Sequence, residues 1–328
     1  MIAKYPGLAR FVERYGIVIV VAAMMLLLHL MEPEYFLTVQ NLTNILKQIA
    51  MNAMLAIGMF LVILTAGIDL SVGSVMALAM MSLALANAAD TPWPVVLLIA
   101  PLVGIASGAV NGLGLTLLRL PHPFIMTLGT LNIARGLTNL ISGGAPISGI
   151  SDPVRFLGAA QIQIPGAGPF GAIPVSAIVV IVVYAAVALF LNKTAVGRHI
   201  YAVGGNPQAA RVSGINVDRI LILVYTLCGF FAGMAALLLA GRTNSGFPNA
   251  GIGAELDAIA AVIIGGASFF GGRGTVLGVF AGVLIMGLLR NGLNLMNVSV
   301  FWQQLLIGVI IILAVYIDVL RRRAAVRT

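Results

Sequence analysis

Few side chains in this chain could carry chemistry. The acid Asp69 stands with Ser71 in GIDLSVGS, residues 67–74, between two long apolar runs. Asp257, Arg135 and Arg290 also fall in or beside apolar runs, as do Asn52, Asn111, Asn132, Asn291 and Asn294. Groups of this kind are costly inside hydrocarbon and often mark a path or a relay. The amides have two uses, lining a polar path or bridging helices by hydrogen bonds, and bridging is the commoner one. Asp69 also has two uses. We read it as a cap for the next helix, accepting from backbone amides near Ser71 and Val72. A proton or cation site is the alternative, and it belongs with an ion-coupled secondary transporter.

Other chemistry is excluded by what is missing. The lysines follow Ala3, Leu46 and Asn192, so no glycine-lysine pair exists to hold phosphates in a P-loop. His29, His122 and His199 are far apart and have no metal-ligand spacing, and no Ser/His/Asp set stands out. Cys228 is the single cysteine, which excludes a disulfide framework within the chain. We therefore expect no cofactor, no metal and no catalysis by this chain itself.

The elements that position these residues follow from composition. Of 328 residues, 60% are hydrophobic and 9% charged, and the mean hydropathy is +1.08. A soluble domain carries about 25% charged residues. The apolar runs are continuous and not alternating, so the fold class is all-α, a polytopic membrane protein. We expect one transmembrane domain over residues 1–328 with about ten spans: 16–31, 44–66, 70–88, 95–118, 124–141, 173–191, 220–241, 255–270, 275–295 and 300–319. The first span has Lys4, Arg10 and Arg14 before it, as a signal peptide would, but no small-residue cleavage site follows, so it is read as retained. The long Gly/Pro-rich loop 142–172 is expected outside.

The net charge of +8 does not point to nucleic acid. Thirteen of the eighteen basic residues fall on the predicted inside: Lys4, Arg10, Arg14, Arg119, Lys193, Arg198, Arg211, Arg219, Arg273, Arg321, Arg322, Arg323 and Arg327. This bias puts both termini in the cytoplasm. Glycines at four-residue spacing, Gly104, Gly108 and Gly112, then Gly274, Gly278 and Gly282, allow close helix approach. We expect them to pack within one protomer.

The longest polar interruption in the second half is Asn192–Arg219. Its centre, Asn206, Pro207, Gln208, Ala209, Ala210, Arg211, Val212, Ser213 and Gly214, reads as one short helix. Asn206 fits the N-cap, Pro207 the first helical position and Gly214 the stop. A short cytoplasmic helix with no core of its own is expected to serve a partner. Ala209 and Ala210 would permit close approach to it.

GIDLSVGS, the loop YAVGGNPQAARVSGINV, and ELDAIAAVIIGG with GGRGT and NGLNL together resemble the permease subunit of bacterial ATP-binding cassette (ABC) sugar importers, the ribose permease subfamily most of all. The resemblance runs from about residue 37 to residue 318. It implies a ten-span fold like that of the vitamin B12 importer, the type II ABC permease fold, in the bacterial inner membrane. It also implies two permeases per complex, as homodimer or heterodimer, an ABC ATPase subunit below and a periplasmic sugar-binding protein above. The family's coupling helix maps onto Asn206–Gly214. A secondary transporter using Asp69 and a passive channel stay open beside it. The first predicts no transport without separate ATPase and binding proteins, the second ion-coupled uptake by this chain alone, the third flux that no energy source alters.

Overall fold

The computed structural model describes residues 6–166 and 168–326. Lys4 and Arg327 lie outside the described residues, as do the side chains of Arg10, Arg14, Arg321, Arg322 and Arg323. The helices are α1 (Pro6–Met31), α2 (Val39–Leu64), α3 (Val72–Ala88), α4 (Trp93–Leu117), α5 (Pro123–Ser142), α6 (Asp152–Ala159), α7 (Val175–Lys193), α8 (Ala195–Gly205), α9 (Pro207–Val212), α10 (Val217–Thr243), α11 (Ala254–Ile264), α12 (Val276–Leu295) and α13 (Val300–Val326). Each expected span coincides with one of them. Six are long and apolar enough to cross a membrane: α2, α4, α7, α10, α12 and α13.

The eighth span, expected over residues 255–270 as short and rich in glycine, is shorter still in the structure. Its helix α11 has 11 residues, about 16 Å, half the thickness of a hydrocarbon core. Gly265 and Gly266 end it, Gly266 at φ +86°. The long loop 142–172 has regular elements of its own. It holds α6, packed by Gly158 against the backbone of α10 near Leu238 and Gly241. Two short antiparallel ladders lie at the same end: β1 (Ile147–Ser148) pairs with β4 (Ser245–Gly246), and β2 (Gln161–Gln163) with β3 (Ala172–Pro174).

Packing centres on α2, buried all round from Ala53 to Leu64, as expected of a helix apolar on every face. The glycine ridges face each other inside the chain. Gly104 of α4 meets Gly229 of α10, Gly108 meets Tyr225, and Gly233 meets Ala100. On the other side Gly278 and Gly282 of α12 meet Gly265 and Ala261 of α11. A Cβ at these glycines would overlap facing backbone, so the ridges set the helix separation.

Candidate functional site

Two spans are interrupted, and their interruptions meet. After α2 the chain runs non-helically through Gly67–Leu70 before α3 begins at Val72. Asp69 is 1% exposed there. Its Oδ1 accepts from Ser71 N at 2.9 Å and from Ser71 Oγ at 2.6 Å. Asn111 of α4 donates Nδ2 to Ser71 Oγ at 2.9 Å and approaches both carboxylate oxygens at 3.4 Å. Tyr225 of α10 donates its hydroxyl to Ile68 O at 3.3 Å. Asp69 is thus a turn residue. The acceptance from Ser71 is as expected, but Ser71, with no side-chain cap bond, occupies the N-cap position, and Asp69 reaches no amide of α3 itself. With four donors around one loop, the loop is a fixed strut between α2, α4 and α10.

The second interruption follows α10. Residues 247–253 run along α3 without regular structure, and α11 starts at Ala254. Gly251 lies against Gly73 at the start of α3, with the Glu255 carboxylate beside it. Two helix N-termini therefore converge inside the bundle. Arg135 of α5 holds the incoming segment by donating Nη1 to Pro248 O at 2.5 Å and Ala250 O at 3.0 Å. Arg290 of α12 donates Nη2 to both Asp257 oxygens, at 2.7 and 2.6 Å. Each basic side chain that lacked a partner in its own stretch of sequence so finds one on another element.

Three of the amides bridge elements by hydrogen bonds. Asn291 bridges to Asn41 of α2 by reciprocal bonds of 2.7 and 3.0 Å. Asn294 Oδ1 accepts from Gln303 Nε2 at 2.8 Å. With Asn111, these three are structural bridges. Asn132 is exposed on α5, its Nδ2 bonded back to Leu128 O at 3.0 Å. Asn52 keeps a buried amide oxygen with no partner.

The polar loop 192–219 contains two helices, not one. Thr194 caps α8, accepting from Gly197 N at 3.0 Å, and α8 buries Gly197, Ile200, Val203 and Gly204 on one face. That cap and that spacing were readable in the sequence. Asn206 caps α9 as expected, accepting from Gln208 N and Ala209 N, both at 3.0 Å. Pro207 takes the first position, Ser213 follows the last turn, and Gly214 has φ +84°. The structure corrects two details. Ala210 is 4% exposed and faces the chain, so of the two alanines only Ala209 is presented outward. Arg211 pairs internally with Asp218 at 3.0 Å. Val212, which sequence reasoning passed over, is 91% exposed. It gives the capped helix an apolar outward face.

This loop is locked to the first interruption. Gly204 packs directly on Leu64 O, the end of α2. Tyr201 donates to Gly274 O at 3.0 Å. Its phenol is pushed up by burial, so it remains a donor. The end of α8 is thus in direct backbone contact with the end of α2, five residues before Asp69.

The description "Branched-chain amino acid transport system / permease component" names a family matching residues 41–315. The chain belongs to this permease family. It is 41% identical over 290 residues to the ribose import permease protein RbsC of Bacillus subtilis, covering 88% of this chain and 87% of that one. It is 40% identical over 314 residues to the D-allose transport system permease protein AlsC of Escherichia coli, covering 94% and 93%. It is 38% identical over 326 residues to the galactose/methyl galactoside import permease protein MglC of Escherichia coli, covering 95% of each. No solved structure matches. The permease is thus a multi-pass membrane transport component and not an enzyme. Both interruptions, the α8–α9 loop and the Asp257–Arg290 pair lie within the matched residues.

Proposed function

We propose that this chain is the transmembrane permease subunit of an ABC importer and forms the path of a monosaccharide, ribose or a related sugar, across the bacterial inner membrane. A separate ATPase drives it from the cytoplasm. A periplasmic sugar-binding protein delivers the sugar, and a second permease, identical or not, completes the path. The observation that carries this reading is the similarity, over nearly the whole chain, to permeases named for ribose, allose and galactose. Its test is uptake into proteoliposomes holding the permease with its ATPase and binding protein. Labelled ribose, allose and galactose should enter only with ATP. Uptake by the permease alone under an ion gradient would favour the secondary transporter instead.

The exposed face of α5 supports the path. Gly129, Asn132, Gly136 and Asn139 share it, and nothing stands within 4 Å of a Cβ added at either glycine. Thr127, Thr130, Ala134 and Thr138 pack inward on the opposite face. Each amide donates Nδ2 back to its own helix, to Leu128 O and Arg135 O, and the polar amides left on an outward face suit a hydroxylated solute better than lipid.

In this reading α9 is the coupling helix, with Asn206, Pro207, Gln208, Ala209, Arg211, Ser213 and Gly214 around the Val212 knob and Ala210 anchoring it from behind. Val212→Glu should insert and accumulate normally, because the side chain touches little of its own chain. ATPase co-purification should drop by at least about tenfold, as for a docking hot spot, and uptake should fall with it. Wild-type association and uptake in Val212→Glu would reduce α9 to a connector.

Both termini and α9 are placed in the cytoplasm and the α6 end in the periplasm. Cysteines at Ser148 and Gln208, both exposed, in a Cys228→Ser background, should react with impermeant thiol reagents from opposite sides. Labelling of both from one side would overturn this topology.

A further inference from the structure

The turn between α11 and α12, Ser268–Gly274, is built with more care than a connector needs. Gly271 N donates to Ser268 O at 3.1 Å and Ser268 N to Arg273 O at 3.0 Å. Asp318 of α13 accepts from Ser268 Oγ and Phe269 N, both at 3.1 Å. Gly272 N donates to Leu64 O at 2.9 Å. Gly271, Gly272 and Gly274 have φ of +83°, +71° and +150°, where other residues are strained. A Cβ at Gly272 would fall 2.9 Å from Gly205 N and Cα, and one at Gly271 would fall 2.8 Å from Ala66 N. The turn is rigid and presses against the last residue of α8.

That contact has a consequence for α9. Asn206, its N-cap, is the residue after Gly205, and Arg273 is the residue after Gly272. Each Cα lies one step of about 3.8 Å from the contact. A protein covering the start of α9 therefore also comes within reach of Arg273. Arg273 is exposed and makes no hydrogen bond or ion pair through its side chain with the described residues. Arg211, on α9 itself, is already engaged by Asp218. Arg273 thus offers a guanidinium with no partner among the described residues, one residue from the Gly272–Gly205 contact at the start of α9. Its planar fork suits a carboxylate, and the fixed backbone spares the ordering cost of binding.

We propose that the Ser268–Gly274 turn is a second docking element for the ATPase, in which Arg273 pairs with an acidic side chain of that subunit next to α9. This rests on the ABC permease reading. The test uses the full chain in nanodiscs and the ABC ATPase that supports its ATP-driven uptake, with Kd measured at low and high salt. Arg273→Glu should weaken binding by about tenfold or more at low salt, and Arg273→Lys should retain most of it. The gap between wild type and Arg273→Glu should shrink as salt rises. If Val212→Glu abolishes binding while Arg273→Glu binds like wild type, the second element is refuted and α9 docks alone. If Val212→Glu and Arg273→Glu both bind like wild type, the docking reading itself fails, and this inference with it. If Arg273→Glu matters in nanodiscs with anionic lipid and not in neutral phosphatidylcholine, the guanidinium serves lipid phosphates and the proposal is wrong.

Discussion

Asp69→Leu is expected to leave almost no permease in the membrane fraction, while Asp69→Asn accumulates and transports within about fivefold of wild type. The difference lies in the donors around the carboxylate. Leucine would strand Ser71 N–H and Ser71 O–H, both directed at the Asp69 carboxylate, while Asn111 Nδ2 would lose only its 3.4 Å approaches and keep Ser71 Oγ. A buried donor left without its acceptor costs about 1–3 kcal/mol. Two of them cost about 2–6 kcal/mol, against a total stability of about 5–15 kcal/mol for an ordinary domain. Asp69 and Ser71 are both buried, so solvent is a poor substitute acceptor there. Asparagine keeps the oxygen that accepts from Ser71. Its new amide protons would face Asn111, whose Oδ1 is buried without a partner, so an amide pair can replace the 3.4 Å approach. A proton or cation site predicts the reverse for Asp69→Asn: normal abundance with no uptake. Western quantification and initial uptake rates on the same membranes separate the two.

The residues explain why some of this was legible beforehand and some was not. The cap of α9 is local, Asn206 accepting from residues two and three ahead, and local chemistry shows in sequence. So was the start of α8 at Thr194, and so was α6, with Ser151 and Pro153 at its head, though both were overlooked. The orientation of α9 was not legible. Six residues have no periodicity long enough to define a face, and Ala210 turns inward because the flanking helices α8 and α10 decide it. Residues 255–270 read as a span because apolar residues resume after Gly265–Gly266. Only packing, Gly265 on Gly278 and Gly271 on Ala66, turns the second half into a tight turn. The bridges Asn41–Asn291 and Asp257–Arg290 join residues 250 and 33 apart, and nothing in a single sequence pairs them.

The Asp257–Arg290 pair carries the second large effect. Asp257 sits in the first turn of α11, a favourable place for an acid. Arg290 clasps both its oxygens from α12, where the side chain is 37% exposed and Nε is buried without a partner. Losing one member of such a pair strands a charge in a low-dielectric interior, at about 3–5 kcal/mol. The partial exposure of Arg290 argues for the lower end, about 3 kcal/mol. Losing both members is different, because apolar side chains of similar size need no partner and remove the stranded Nε as well. Asp257→Leu and Arg290→Leu should therefore each cut folded permease in the membrane by about tenfold or more. The double variant Asp257→Leu/Arg290→Leu should recover most of it. Thermal aggregation of detergent-solubilised protein measures this directly. The non-additivity assigns the pair to holding α11 against α12 beside the second interruption. If the double variant is as depleted as the worse single one, Asp257 and Arg290 have separate duties, and the pair is not what fixes α11. If abundance recovers but ATP-driven uptake does not, the charges act on the sugar path as well as on the fold.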